Sequence, residues 1–190
     1  AQAMLSISAL LQWCALALPL VQGLTVGVPP SSPTTTARTV GVLSPSPTAA
    51  RLTVVQVTDV YTLENFPRLK TLLHDVRETN PTTISMLTGD FLAPYLLSSI
   101  DKGHGMMRMI NETPIDYLTW GNHEADIDHK EVCGHVRGYR GKWLNSNMLD
   151  HEAMDAQQEY DVVEVASADG TQTRRVGLVA CLSDDPALYA

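Results

Sequence analysis

Three short apolar runs, each ending in groups that can bind a cation, constrain this chain more than any other feature. Residues 52–57 run into Thr58-Asp59, residues 83–87 into Thr88-Gly89-Asp90, and residues 115–120 into Gly121-Asn122-His123-Glu124. Short continuous apolar runs of this kind suit buried strands. In an open α/β sheet, ligands gather just outside the carboxyl ends of the strands. The pattern therefore sends two carboxylates, an amide oxygen and an imidazole to one sheet edge. That donor set suits a hard or borderline divalent metal ion. Any one piece alone is an ordinary turn; three in order, each at a strand end, point to a site.

The segments between these runs read as helices. Over 64–79, Phe66, Leu69, Leu72, Leu73 and Val76 recur at three- and four-residue intervals, and Thr79-Asn80-Pro81 stops the pattern. Residues 102–112 form a second helix with Met106, Met109 and Ile110 inward, and its methionines are core side chains. Residues 127–137 form a third, weakened by Gly134. A short strand is expected over 143–148. Two more, over 159–166 and 174–181, are joined by a turn at Ala168-Asp169-Gly170-Thr171. The expected architecture is α/β, opening with a parallel β-α-β-α-β unit.

Charge separates this body from what precedes it. Arg38 is the single charged residue before Arg51, so residues 51–190 hold 12 basic and 21 acidic side chains, a net of −9. So acidic a domain is unsuited to tracking a nucleic-acid backbone, which needs clustered Lys and Arg. Small anionic substrates are not excluded, because bound divalent cations reverse the local sign. Residues 4–21 are apolar apart from Ser6, Ser8 and Gln12, with Val21 and Gly23 at the −3 and −1 positions of a signal-peptidase site. Residues 1–23 thus read as a signal-peptide-like leader directing the chain to the secretory pathway or outside the cell. Uncleaved, the leader would be the chain's sole membrane contact. Residues 24–50, rich in Ser, Thr and Pro, read as a linker, with an organelle-targeting segment as the alternative. Cys14, Cys133 and Cys181 form no Cys-x-x-Cys pair, and buried free thiols are the expectation for the body.

From Val54 to Ala190 the sequence resembles the catalytic domain of calcineurin-like metallophosphoesterases, in their 5′-nucleotidase and cyclic-phosphodiesterase branch. The resemblance rests on Thr58-Asp59-Val60-Tyr61 where that group has Asp-x-His, and on Gly89-Asp90-Phe91-Leu92-Ala93-Pro94. It rests equally on Gly121-Asn122-His123-Glu124-Ala125-Asp126 and on Asn145-Ser146-Asn147. It implies the N-terminal portion of a four-layer αββα sandwich and a metal-dependent phosphoester hydrolase. The implied cofactor is a pair of divalent ions, with manganese, zinc, iron and cobalt all compatible with the ligands. Asp59 would hold the first ion, Asp90 would bridge both, and Asn122 would hold the second. His123 would bind no metal and would serve the scissile phosphate as transition-state stabiliser or general acid. Two such ions can acidify a bridging water, whose hydroxide attacks phosphorus in line with the leaving oxygen. The implied partner is a small phosphorylated substrate, a nucleotide in the nearest branch, and not nucleic acid.

Other residues near the motifs carry blander expectations. Glu124 and Asp126 are expected to cap or charge the first turn of the following helix. His129, His135 and His151 are expected to be solvated surface residues. Two departures from the family pattern stand out. Tyr61 occupies a position usually held by a metal-binding His; a neutral phenol is a weak ligand. It either binds as tyrosinate or marks a site with one ligand fewer. The family's later metal-binding histidines also have no counterpart before Ala190, so a fragment is expected, and a non-catalytic member is the alternative. A nucleotide-binding domain without catalysis fits poorly, since no Gly-x-Gly-x-x-Gly follows the first strand and no P-loop motif occurs.

Overall fold

The structure is a computed structural model and describes residues 22–26 and 47–189. The expected leader and linker therefore lie outside the described residues, except for 22–26 and 47–50. Six strands form one sheet in sequential order: β1 (Gln22–Val26), β2 (Leu52–Val57), β3 (Thr83–Thr88), β4 (Tyr117–Thr119), β5 (Lys142–Leu144) and β6 (Gln157–Gln158). β1 runs antiparallel to β2, and the remaining pairings are parallel. Among the described residues no helix is long and apolar enough to cross a membrane.

Sequential order has a consequence for the layers. Parallel crossovers are right-handed as a rule, and each step along the sheet goes the same way. All connecting helices therefore fall on one face. These are α1 (Phe66–Thr79), α2 (Ser98–Asp101), α3 (His104–Glu112) and α4 (His129–Gly138). The period-two alternation of the strands then divides the side chains. Val55, Val57, Leu87, Leu118 and Trp143 pack with Phe66, Leu73, Met106, Ile110, Val132 and Val136 of the helices. Val54, Ile84, Met86, Tyr117 and Leu144 point the other way and meet Val163, Val176 and Leu178. Those last residues belong to the antiparallel hairpin β7 (Tyr160–Ala166) and β8 (Thr173–Val179). Three layers result, helix on sheet on hairpin, which are three of the four expected of an αββα sandwich.

A helix of 14 residues such as α1 is marginal by itself. Its anchors are Phe66 and Leu73, both buried, each worth about 1.5–3 kcal/mol when fully removed from water. The hairpin is pinned to the sheet by Asp161. Its Oδ2 accepts from Tyr117 Oη at 2.6 Å and from Lys142 Nζ at 2.6 Å. Its turn closes on Asp169, whose Oδ1 accepts from the Thr171 amide at 3.0 Å.

Several expected bounds shift for local reasons. The helix expected over 102–112 begins at His104. Lys102 (φ 57°) and Gly103 (φ 87°) are left-handed, so α2 ends and α3 begins around them. Asp101 accepts from the Gly103 and Gly105 amides at 2.9 and 2.8 Å, capping the new helix. The third helix starts at His129 rather than 127, because the Asp128 carboxylate caps it by accepting from the Lys130 amide. The strand expected over 143–148 stops at Leu144. Asn145 then folds its side chain onto Met148, accepting from its amide at 2.9 Å and donating to its carbonyl at 2.9 Å.

Candidate functional site

The carboxyl ends of β2, β3 and β4 converge, and Asp59, Asp90 and Gly121-Asn122-His123 sit there. The backbone is forced into unusual shapes to do this. Asp59 (φ 55°) and Asp90 (φ 57°) adopt left-handed conformations although neither is glycine. Such residues cost about 1–3 kcal/mol each and cluster at functional sites. Gly89 and Gly121 are required by contact. A Cβ on Gly89 would lie 2.6 Å from the Gly121 backbone, and one on Gly121 would overlap Asp90 Oδ1. The two loops touch backbone to backbone, and nothing larger fits.

Glu124 holds them together. It is fully buried. Its Oε2 accepts from the amides of Asp90 (2.9 Å) and Gly121 (2.7 Å), and its Oε1 from those of Phe91 (2.9 Å) and Leu92 (3.1 Å). The expectation that Glu124 caps or charges the first turn of the following helix is therefore corrected. Glu124 lies in a short 3-10 turn, His123–Asp126, with its side chain turned inward across the β3 and β4 loops. Burial pushes its carboxyl upward, and the amides of Phe91, Leu92 and Asp90 pull it back. A protonated carboxyl would have to aim an O–H at one of those donors, so the geometry is that of the ionised form. The sequence signal was its adjacency to His123, but nothing in a linear pattern says which way the side chain turns.

Around this knot the candidate ligands are arranged in a chain of contacts. Tyr61 Oη donates to Asp59 Oδ1 at 3.0 Å, and the Thr58 hydroxyl lies 2.8 Å from Asp59 Oδ2. Asp90 Oδ1 accepts from the His123 amide at 3.0 Å. The Tyr61 and His123 rings meet edge to face at 6.3 Å. Asn122 Nδ2 donates to Leu188 O at 3.1 Å, which leaves its amide oxygen for another partner. His123 Nδ1 lies 2.7 Å from Asp126 Oδ2, so Asp126 faces the imidazole rather than capping a helix. Asn145 and Asn147 are taken up elsewhere: Asn147 donates to Leu182 O at 2.7 Å and accepts from its amide at 3.0 Å.

The electrostatics follow from this crowding. Burial raises the Asp90 carboxyl above its ordinary value, with the charges of Asp59 and Asp126 adding to the effect and His123 opposing it. Burial pulls His123 down, but its hydrogen bond to Asp126 and the nearby carboxylates outweigh this and leave it raised. Burial and the charges of Asp59 and Asp90 push Tyr61 far above the usual phenol range, so the phenol here is a neutral donor. The cluster is anionic and offers carboxylate and amide oxygens together. A divalent cation fits that donor set.

Among the described residues, sets of three His, Cys, Asp or Glu ligand atoms within 4.8 Å of one another occur at His129, Cys133, His151 and at His74, Asp75, Glu78. The strand-end cluster instead draws on an amide oxygen beside its carboxylates. The expectation that His129, His135 and His151 are solvated holds only for His129. His135 is buried, and its Nε2 lies 2.6 Å from Lys102 O; that bond secures the left-handed break between α2 and α3. His151 is half-buried against Trp120, ring centroids 4.7 Å apart.

A family model described as calcineurin-like phosphoesterase matches residues 52–180. The fold is similar to a 5′-nucleotidase precursor from Thermus thermophilus, with a TM-score of 0.56 and 18% identity, over 72% of this chain and 29% of that one. It is similar to the calcineurin-like phosphoesterase YfkN from Bacillus subtilis, with a TM-score of 0.55 and 19% identity, over 73% of this chain and 50% of that one. A third likeness is to the NAD nucleotidase of Haemophilus influenzae, with a TM-score of 0.53 and 15% identity, over 73% of this chain and 23% of that one. The chain thus spans half or less of the length of each of these proteins. No curated protein sequence matches the chain.

Proposed function

Since the chain belongs to the calcineurin-like phosphoesterase family, we propose that it forms part of the centre of a metal-dependent, 5′-nucleotidase-like hydrolase acting on small phosphorylated substrates. The observation that carries this reading is the meeting of Asp59, Asp90, Asn122 and His123 at three consecutive strand ends, locked by Glu124. Asp59 and Asn122 would each hold a divalent ion, and Asp90 would serve both. Such ions lower the pKa of bound water and neutralise charge building on phosphoryl oxygens. Asp90 is fixed for its task by the His123 amide and by the Glu124 knot. His123 binds no ion. Asp126 holds its Nδ1, which leaves Nε2 to face the phosphoryl group and donate a proton to the leaving oxygen. Tyr61 keeps its proton and orients Asp59 through their hydrogen bond.

A secreted location, directed by residues 1–23, accompanies this reading. One observation favours a second reading, that of a non-catalytic binding member: the neutral phenol of Tyr61 in a position the family gives to a ligand. Hydrolysis of p-nitrophenyl phosphate and of a nucleoside 5′-monophosphate by the full chain with added Mn²⁺ separates the two. For a hydrolase, turnover is expected that Asp90→Asn abolishes together with bound metal, and that His123→Ala lowers with metal content nearly intact. Equal metal loss in both variants would overturn the role given to His123. Metal binding without turnover on either substrate would favour the binding member.

A further inference from the structure

A second group of metal-type ligands lies on the helix side of the sheet. His129 and Cys133 are four residues apart on α4 and so share one face of it. His129 Nε2 lies 3.6 Å from Cys133 Sγ and 3.2 Å from Glu152 Oε2. His151 precedes Glu152 and brings its ring to 5.3 Å from that of His129. One ligand atom from each of His129, Cys133 and His151 lies within 4.8 Å of the other two. Cys133 is a buried free thiol.

The spacings match a known coordination geometry. In a tetrahedral zinc site, Zn–S of about 2.3 Å and Zn–N or Zn–O of about 2.0–2.2 Å set ligand-to-ligand edges of roughly 3.4–3.6 Å. The Cys133–His129 edge has that length, and the His129–Glu152 edge is slightly short of it. His151 lies within 4.8 Å of both His129 and Cys133 and so must close by no more than about 1.4 Å to complete the polyhedron, judged against the same edges. We propose that His129, Cys133 and His151 bind a zinc-like divalent ion at a site separate from the phosphoesterase centre, with the exposed Glu152 side chain turning in from His129 as fourth ligand. Soft thiolate with imidazole selects zinc or cobalt over magnesium or calcium.

The surroundings say what binding changes. His151 Nδ1 accepts from the Ala153 amide at 3.1 Å and lies 3.1 Å from Gln157 Nε2. The ring proton therefore sits on Nε2. Gln157 Oε1 in turn accepts from Trp120 Nε1 at 2.6 Å. Coordination through His151 Nε2 moves that proton to Nδ1, breaks the Ala153 bond, and turns the Gln157 oxygen toward the ring. Trp120 then loses its acceptor. Cys133 binds as thiolate and gives its proton to solvent. The ion would pin α4 to the 151–152 loop and be felt at Trp120, the residue just before Gly121.

Titration of the purified full chain with Co²⁺ tests this, read by thiolate-to-cobalt charge-transfer absorption in the near ultraviolet and by tryptophan fluorescence. The band is expected in the natural sequence, in Asp90→Asn, and in the Cys14→Ser, Cys181→Ser double variant, with a fluorescence change at the same stoichiometry. It is expected to vanish in Cys133→Ser and to need far more cobalt in His129→Ala. His129 is exposed, so its variant decides the matter should Cys133→Ser fail to fold. No band in the natural sequence, a band that survives Cys133→Ser, or a band lost in Asp90→Asn would overturn the assignment. Because the readout is thiolate-specific, its failure says nothing against the strand-end site.

Discussion

Replacing Glu124 by Gln probes whether the strand-end loops are held as described. The change is isosteric but exchanges one carboxylate oxygen for an NH₂ group. Each oxygen of Glu124 accepts from two backbone amides, so two amides come to face a donor instead of an acceptor. Hydrogen bonds to a charged group are worth about 1.5–3 kcal/mol each, and a buried donor left unpaired costs a similar amount. Losing two, with partial relaxation, gives about 3–5 kcal/mol. That is a large fraction of the stability of a typical domain, about 5–15 kcal/mol. A solvated carboxylate acting only on a helix end would be worth about 0.3–1 kcal/mol. Urea unfolding of the full chain, followed by circular dichroism, separates the two. With a slope of about 2 kcal/mol per M, the midpoint is expected to fall by roughly 1.5–2.5 M. A fall of less than about 0.5 M on that same slope would refute the buried four-bond role.

Other expectations follow from particular contacts. Gly121→Ala drives a methyl group into Asp90 Oδ1 and should abolish Mn²⁺ binding; a variant that binds normally would show that the two loops do not touch. Tyr61→Phe should leave bound metal unchanged, since the phenol donates to Asp59 rather than coordinating, whereas Tyr61→His should tighten metal binding; weaker binding in Tyr61→Phe would make the phenol a ligand. Burial opposes the ionised form of Asp161, but its bonds to Lys142 and Tyr117 prevail and hold its carboxyl below the ordinary value. Its stabilising effect is thus complete above about pH 4, near the unfolded value, and is lost as pH falls through the folded one. Asp161→Asn should therefore lower stability at neutral pH and lessen its decline in acid; an unchanged acid profile would contradict the pinning of the hairpin.

The parts of this fold legible in the sequence were those set by short-range pattern. β2 spans the expected 52–57, and β3 extends one residue past its expected end. α1 keeps the expected stop before Pro81. The hairpin was legible because Asp169-Gly170 is a turn with its own chemistry. The strand-end positions of Asp59, Asp90, Asn122 and His123 followed from those strands. What escaped was set by contacts between distant segments. The break at Lys102 depends on His135, 33 residues away. The inward turn of Glu124 depends on three amides of the β3 loop. His151 looked like one more surface histidine because neither Trp120 nor Cys133 is near it in sequence. The edge strand β1 had no signal of its own, since its pairing with β2 is a long-range event.

The most direct test of the central claim is Mn²⁺ binding to the full chain, measured by electron paramagnetic resonance beside the Asp90→Asn variant. Manganese favours oxygen ligands and so reports on the strand-end site rather than on the Cys133 cluster. Mn²⁺ is expected to bind to the natural sequence and to be lost with Asp90→Asn. Equal binding by both chains would contradict a metal centre at the strand ends.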